Sequence, residues 1–179
     1  MTETVAGTPA ELITVRGSLE TPVGVVTVLA DDEGIRSIGW RYRPAAAPAP
    51  DSSPAAAHVA AAISQLGEYF DGKRTDFDLP IRLDGLGSSS LVVLTALKDT
   101  VGYGEKVTYG ELSARSGSSV PARAIGSIMG SNPVPLAIPC HRVVAADGLG
   151  GYSGGGPGQG RQTKLWLLEH EGALPPALI

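Results

Sequence analysis

Short apolar runs separated by turn-forming residues fill the first part of the chain, and this pattern predicts strands. Residues 23–30 are mostly β-branched or apolar and lie just before an acidic, glycine-containing turn at 31–34. Residues 35–40 then alternate apolar with small or polar side chains, so these two runs predict a β-hairpin. Two further apolar runs, at 12–15 and 77–83, each predict one more strand.

An amphipathic helix is predicted between these strands. Apolar side chains recur at helical spacing over residues 58–70, at Val59, Ile63, Leu66 and Phe70. Residues 44–54 are rich in proline and alanine, which is typical of a surface loop. The first half of the chain therefore predicts an antiparallel sheet with one helix, a scaffold in which we find no chemistry.

The second half of the chain predicts helices. The first, over 90–101, is expected to turn three leucines inward: Leu91, Leu94 and Leu97. Thr108 and Glu111 have the spacing of a capping box, which predicts the start of a short helix. Another helix starts near 118–121 and ends before 132–133, because the residue before a proline avoids helical geometry. Two short helices joined by a glycine/serine turn predict a helix-turn-helix.

These elements predict an α+β fold in two domains. Glycine and serine residues at 85–89 mark the boundary between them. The predicted division is a flexible tail at 1–10, a small N-terminal α/β domain of antiparallel sheet plus helix at 11–86, and a mostly helical C-terminal domain with the helix-turn-helix at 87–179.

The chain has one cysteine, Cys140, which is followed directly by His141. Three prolines in the eight residues before it stiffen the backbone. A lone cysteine in an apolar segment is more often a core residue than a nucleophile. Adjacent cysteine and histidine on a strand would also point to opposite faces. The thiol and imidazole alone therefore leave a structural and a catalytic interpretation open.

Five blocks of sequence occur in order around and including this cysteine. They lie at 108–112, 122–126, 132–143, 150–155 and 166–172. In this order they resemble the O6-alkylguanine-DNA alkyltransferase family, whose active-site signature corresponds to the block containing Cys140. The resemblance covers roughly residues 90–173, about half of the chain. It implies a DNA repair enzyme that flips a damaged nucleotide out of the duplex and takes its alkyl group.

The resemblance also implies roles for Cys140 and for four residues near its thiol. Glu171 would orient His141, which would take the Cys140 proton through a bridging water before the thiolate attacks the alkyl carbon. Tyr109 would give a hydrogen bond or proton to the leaving guanine, and Asn132 would hold the turn around the thiol. The thioether product would be permanent, so the protein would act once on O6-alkylguanine or O4-alkylthymine, with no cofactor and no metal.

The second helix of the pair is implied to bind the minor groove of double-stranded DNA. Arg123 would fill the space left by the flipped nucleotide, although taken alone it is an ordinary solvated helix charge. Tyr109 and small residues would allow close approach to the groove, namely Ala122, Ala124, Gly126, Ser127 and Gly130. The guanine pocket would be lined by Tyr152, Ser153, Gly154 and Val143.

Composition constrains the partners and the location. The net charge of −4 argues against general nucleic-acid binding. Residues 112–144 nevertheless carry Arg115, Arg123 and Arg142 and no acidic residue, which predicts a local positive face. No apolar run is long enough to span a membrane, the start of the chain shows no secretory signal, and three scattered histidines offer no zinc spacing. We expect a cytoplasmic monomer, with cooperative clustering on DNA left open.

Other interpretations remain. An alkyltransferase-like module that only recognises damaged bases would lack the acceptor thiol, so Cys140 argues against it. A Cys–His hydrolase or transamidase would leave the helix pair and Arg123 unexplained, and a sequence-specific regulator lacks a second basic cluster. Residues 156–165 form a glycine-rich stretch longer than the family pattern. We expect a mobile loop there that admits adducts bulkier than methyl.

Overall fold

A computed structural model describes residues 14–40 and 52–175 of the chain. Its first part is a three-stranded antiparallel sheet in the order β1 (Val15–Thr21), β2 (Gly24–Asp31) and β3 (Gly34–Gly39). The predicted hairpin of β2 and β3 is confirmed. The strand predicted over 12–15 instead begins at Val15 and runs on to Thr21, and residues 12–13 lie outside the described part.

Helix α1 (Pro54–Phe70) covers one face of this sheet and confirms the predicted amphipathic helix. It begins four positions earlier than predicted because the Ser53 side chain accepts a hydrogen bond from the Ala56 N–H at 3.1 Å and proline occupies the first turn. Its inward positions are buried against the apolar residues of β2 in one core. The loop predicted over 44–54 falls mostly on residues that the structure does not describe.

The strand predicted over 77–83 is wrong. Only one isolated parallel bridge forms there, between Ile35 and Ile81. The Ile35 N–H donates to the Pro80 carbonyl at 2.7 Å, and the Arg82 N–H donates to the Ile35 carbonyl at 2.9 Å. Pro80 has no N–H to continue a ladder, so the segment lies along β3 without becoming a strand.

The second part of the chain is mostly helical, as predicted, and the α+β fold class is confirmed. Its helices are α2 (Ser88–Thr100), α3 (Tyr109–Arg115), α4 (Ala122–Gly130) and α5 (Gly160–His170). Leu91, predicted to face inward, is 42% exposed, because the buried stripe of α2 runs through Val93, Leu94 and Leu97 instead. The domain division predicted at residues 86 and 87 falls just before α2 and stays a prediction.

The predicted helix pair is α3 and α4, which pack against each other. The capping box is present: the Thr108 side chain accepts from the Glu111 N–H at 3.2 Å, and the Glu111 carboxylate accepts from the Thr108 N–H at 2.7 Å. A two-residue strand, β4 (Val107–Thr108), precedes α3 and pairs in parallel with β5 (Val143–Val144). This pairing fixes the start of the helix pair beside the residues that follow Cys140.

Hydrogen bonds also join the first and second parts of the chain. The Ile38 N–H in β3 donates to the Pro133 carbonyl at 2.9 Å, and the His170 ring nitrogen lies 2.8 Å from the Tyr69 carbonyl. The sheet and α1 are therefore held against the segment that leads to Cys140. Within the described ranges, no helix is long and apolar enough to cross a membrane.

Candidate active site

Cys140 lies in a tight turn that its preceding segment holds in place. The turn is a 3-10 helix over Cys140–Arg142, so the strand geometry considered for the thiol and imidazole does not occur. The Asn132 amide bridges the segment: its NH₂ donates to the Ile138 carbonyl at 2.8 Å, and its oxygen accepts from the Val134 N–H at 3.1 Å. Asn132 thus positions the chain on both sides of the prolines and fixes where the thiol points.

The thiol itself is buried, with 4% of the residue exposed. Burial raises the pKa of Cys140 from 9.0 to about 11, although a hydrogen bond with Asn132 and the positive charge of Lys164 act in the opposite direction. At neutral pH the resting group is therefore the thiol, and it needs a proton acceptor before it can react as a thiolate.

His141 is placed to be that acceptor. Its Nε2 lies 2.7 Å from Oε1 of Glu171, and both side chains are fully buried. Burial lowers the pKa of His141 below 6.5, so the ring is neutral and donates its Nε2 hydrogen to the carboxylate. Nδ1 is then the basic nitrogen, and it is buried with no hydrogen-bond partner among the described residues. The sequence-predicted pair of His141 and Glu171 is therefore brought together.

Glu171 is the centre of a buried polar cluster. Arg142 donates to it twice, from Nε to Oε2 at 2.8 Å and from Nη2 to Oε1 at 3.1 Å. The Tyr69 hydroxyl, from α1, donates to Oε1 at 2.7 Å. Burial alone would raise the pKa of Glu171, but the hydrogen bond from His141 and the guanidinium of Arg142 outweigh it and lower the pKa to about 2. The carboxylate stays ionised and fixes the histidine tautomer.

Besides Arg142, two members of this buried arrangement were not foreseen as site residues. Tyr69 lies 102 positions before Glu171, so nothing local in the sequence joins them. Lys164 is fully buried and donates to the carbonyls of Val143, at 2.5 Å, and Gly151, at 3.0 Å. The sequence did carry a signal for this lysine, because it lies three and four positions before the buried Leu167 and Leu168, on the inward face of α5.

The segment after Cys140 forms a wall beside the site. The Tyr152 ring packs edge-on against His141, with ring centroids 6.5 Å apart, and against Trp40 of the sheet domain at 6.1 Å. Gly154 is buried, and a Cβ there would overlap both Tyr152 and Trp40. The Ser153 hydroxyl is exposed and donates to the Gly130 carbonyl at 3.4 Å. The structure brings Tyr152, Ser153 and Gly154 together on one wall, and sequence reasoning missed the aromatic contact from Trp40, which directly follows β3.

The glycine-rich stretch predicted as a loop over 156–165 is shorter in the structure. Helix α5 begins at Gly160, so the second half of the stretch is helical. Gly155 has a φ of +90° and packs against Thr163, while Gly160 packs against the Tyr152 carbonyl, and a side chain at either glycine would clash. Close backbone approach explains these two glycines.

The helix pair places Tyr109 and α4 next to the same wall. Tyr109 is half-buried, and its ring lies 4.0 Å from the position that a Cβ on Gly126 would take. Burial raises the pKa of Tyr109, against a hydrogen bond with the Gly151 backbone. The remaining predicted contact residues of α4 are exposed or half-buried on one side of the helix: Ala122, Arg123, Ala124, Ser127 and Gly130.

The predicted positive face is smaller than expected. Arg142 is buried on Glu171 and cannot contribute to it. Arg115 is exposed, and its guanidinium donates to the Thr100 carbonyl at 2.7 Å. Val143, which was predicted to line the guanine pocket, is buried in β5, and its side chain packs in the hydrophobic core. Arg123 therefore remains the exposed cation that α4 itself presents.

A cavity of about 560 Å³ reaches Cys140, a volume suited to a small-molecule or nucleobase group. Asn132, Ser153 and Gly154 line it on the side of the cysteine, and Trp40 with other residues of the sheet lines it on the far side. The scaffold half of the chain, in which the sequence showed no chemistry, therefore supplies part of the wall of the candidate site.

The fold and the site together define a helix-turn-helix protein with a buried Cys–His–Glu group. Family models for 6-O-methylguanine DNA methyltransferase match both parts of the chain, the DNA binding domain over residues 90–173 and the ribonuclease-like domain over residues 14–83. The chain belongs to the 6-O-methylguanine DNA methyltransferase family, which confirms the family resemblance found in the sequence.

Individual relatives agree with this assignment. The methylated-DNA–protein-cysteine methyltransferase of Metallosphaera sedula is 38% identical over 159 residues, covering 88% of this chain and 93% of the relative. That of Rattus norvegicus is 52% identical over 81 residues, covering 45% of this chain and 37% of the relative. The crystal structure of the Mycobacterium tuberculosis O6-methylguanine methyltransferase superposes with a TM-score of 0.74 at 31% identity, covering 92% of this chain and 96% of that one. A second structure, of the M. tuberculosis protein in complex with DNA, gives a TM-score of 0.73 at 32% identity, with coverages of 90% and 95%.

Proposed function

We propose that this chain repairs alkylated DNA by moving the alkyl group from O6 of guanine, or from O4 of thymine, to the thiol of Cys140. The observation that carries the proposal is the arrangement at the thiol. A lone, buried cysteine lies at a cavity, and the adjacent histidine has its basic nitrogen unpaired and its other nitrogen held by an ionised carboxylate. Such a group can generate a thiolate on demand, and a thiolate is the strongest soft nucleophile in a protein.

The side chains at the site can supply and accept every proton that the alkyl transfer requires. The Cys140 proton passes to Nδ1 of His141, directly or through a water, and the thiolate attacks the alkyl carbon. The S–C bond forms as the C–O6 bond breaks, and the leaving guanine gains a proton, supplied through Tyr109 and restored from His141. The thioether has no good leaving group, and no second cysteine exists to resolve it. The protein therefore acts once per molecule.

The proposed DNA surface is the exposed side of α4 together with Tyr109. The exposed side chains of α4 are small apart from Arg123, which allows a close approach to the minor groove and leaves one cation to enter the base stack. The alkylated base must leave the duplex to reach a buried thiol. Flipping would move the alkylated base past Tyr109 and place it against the wall formed by Tyr152, Ser153 and Gly154. The DNA-bound M. tuberculosis structure supports DNA as the partner.

The test is intact mass spectrometry after incubation with excess duplex carrying one O6-methylguanine, beside a Cys140→Ser control. Wild type should gain one methylene, about 14 Da, stop at one equivalent, and carry the modification on Cys140. The serine variant should bind the duplex and gain nothing. Wild type that binds the lesion without gaining mass would indicate a recognition module. Absence of both binding and mass gain would favour a Cys–His hydrolase or transamidase.

A further inference from the structure

A groove of about 620 Å³ lies on the helical part of the chain and shares no lining residue with the cavity at Cys140. Its walls come from β4 and the start of α3, from the turn that follows β5, from the first half of α5, and from Leu174. Neither the alkyl transfer nor the DNA surface proposed above uses this groove, so its shape and chemistry need a separate explanation.

Aliphatic side chains form most of the walls of the groove: Val107, Val144, Ala145, Leu149, Leu165 and Leu174. Leu165 is 37% exposed although it is a large apolar side chain. It lies four positions after Arg161 on α5, so both side chains reach the groove from the same face of the helix. Exposed apolar surface with a polar rim is typical of a site that buries apolar groups of a partner.

The charged side chains that line the groove are two cations and one carboxylate. Lys106 and Arg161 are exposed, and within the described residues neither forms an ion pair. The Glu111 carboxylate is already engaged, because it accepts from the Thr108 N–H at 2.7 Å and from the Thr108 hydroxyl at 2.8 Å. Asp147 is exposed in the turn after β5 but does not line the groove. The groove therefore offers two cations beside aliphatic walls, which complements an anionic partner with apolar side chains.

We propose that this groove binds a short acidic segment of another protein, one that carries two leucine-like side chains among its carboxylates. The apolar side chains pack on Leu149 and Leu165, and the carboxylates beside them pair with Lys106 and Arg161. DNA fits these walls less well, because most protein contacts to DNA go to phosphates and sugars and would leave the aliphatic walls without an apolar partner. The inference does not depend on alkyl transfer, since the groove and the cysteine cavity are separate.

The test is a titration of the full ¹⁵N-labelled chain, without DNA, with capped heptapeptides of glutamate that contain two leucines spaced one, three or four positions apart. We expect at least one peptide to bind saturably with a Kd below about 1 mM. It should shift the backbone resonances of residues in the groove, such as Ala146, Leu149 and Leu165. Matched peptides with lysine in place of glutamate should not bind. The proposal is wrong if no acidic peptide saturates, if the shifts lie elsewhere, or if the lysine peptides bind equally well.

Substitutions at exposed positions test the two parts of the groove separately. Leu165→Glu should abolish peptide binding, and Leu91→Glu is its matched control, because Leu91 is 42% exposed on α2 outside the groove. Arg161→Glu and Lys106→Glu should each weaken binding about 5-fold, the contribution of one exposed ion pair. Lys98→Glu changes an exposed cation of α2 and should bind like wild type. Equal losses in the variants and their controls would mean that the peptides bind no defined groove.

Two other occupants would each overturn the proposal. Self-association of wild type in sedimentation equilibrium, lost in Leu165→Glu and kept in Leu91→Glu, would assign the groove to a second copy of this chain. Undamaged duplex DNA that shifts the same resonances, with binding weakened by Arg161→Glu and unaffected by Leu165→Glu, would assign the cations to the DNA backbone.

Discussion

Glu171 and Asp84 are two carboxylates with the same acidity in opposite surroundings. The pKa of each is lowered to about 2: at Glu171 the hydrogen bond from His141 and the charge of Arg142 overcome burial, and at Asp84 the leading cause is a hydrogen bond from Arg36. The Glu171 side chain is fully buried, whereas the side chain of Asp84 is 48% exposed at the edge of the sheet.

The two carboxylates differ in what can solvate the site after a mutation removes an ion-pair partner. Around Asp84, water can solvate any charge that a mutation uncovers, so the ion pairs with Arg36 and Arg82 are exchangeable. Glu171 is buried from bulk solvent, so each removed group leaves a buried donor or charge unpaired. The same final pKa therefore marks a buried structural centre at Glu171 and an exposed surface ion pair at Asp84.

The largest expected effect is at the buried centre. Glu171→Gln removes the negative charge and leaves the Arg142 guanidinium buried without a counter-ion, so the free energy of unfolding should fall by about 3–5 kcal/mol. The His141 tautomer also loses its acceptor charge, and methyl transfer should slow by about 100-fold or more. Urea denaturation and single-turnover transfer measure the two effects. Stability within 1 kcal/mol of wild type would show that the cluster is not the centre described here.

The dependence of the free energy of unfolding on acid pH should also distinguish Glu171 from Asp84. Burial lowers the pKa of His141 below 6.5, and the folded protein also keeps Glu171 ionised down to about pH 2, against 4.5 ordinarily. In both cases the unfolded chain binds more protons, so the free energy of unfolding falls as the pH drops below 6.5 and falls further below 4.5.

The urea midpoint measured between about pH 8 and pH 3 should show this decline. In Glu171→Gln the part below pH 4.5 should flatten, because the titrating group is gone, while Asp84→Asn should keep most of the decline. A wild-type midpoint that does not change with pH would contradict the buried, ionised state of Glu171.

A smaller effect is expected where one hydrogen bond of the cluster is removed. Tyr69→Phe deletes the hydroxyl that donates to Glu171 at 2.7 Å and should lower the free energy of unfolding by about 2 kcal/mol, since the acceptor is charged. Tyr103→Phe is the matched control, because the Tyr103 hydroxyl donates to an uncharged acceptor, the backbone carbonyl of His170, at 3.2 Å. It should cost about 1 kcal/mol or less. A larger loss of unfolding free energy in Tyr103→Phe than in Tyr69→Phe would contradict a special contribution from the charged acceptor.

The fold was predictable where the side-chain pattern is local. The β2–β3 hairpin and the capping box at Thr108 depend on alternation and spacing that a short window contains. The failures depend on partners elsewhere in the chain. β1 continues through polar residues because Gly17 allows α1 to pack closely on it, and the segment at Pro80 pairs once with β3 although it cannot form a ladder.

The candidate site divides in the same way. Cys140, His141 and Asn132 lie in one continuous motif, so the sequence places them together. Tyr69 and Trp40 reach the site only because the sheet and α1 pack against the C-terminal part, and no spacing rule predicts a contact across 102 positions. Lys164 was detectable, since a lysine on the buried stripe of a helix is unusual in any sequence.

The smallest expected effect completes the comparison at the exposed carboxylate. Asp84→Asn removes a carboxylate whose pKa, like that of Glu171, is lowered to about 2. The melting temperature of the variant should nevertheless stay close to that of wild type, and high salt should erase any difference. Arg36 retains Asp31 as a partner after the change, so no cation is stranded. Thermal unfolding of Asp84→Asn and Glu171→Gln side by side, at low and high salt, measures the contrast. A salt-independent loss at Asp84 as large as that at Glu171 would mean that solvent exposure does not decide the worth of these two ion pairs.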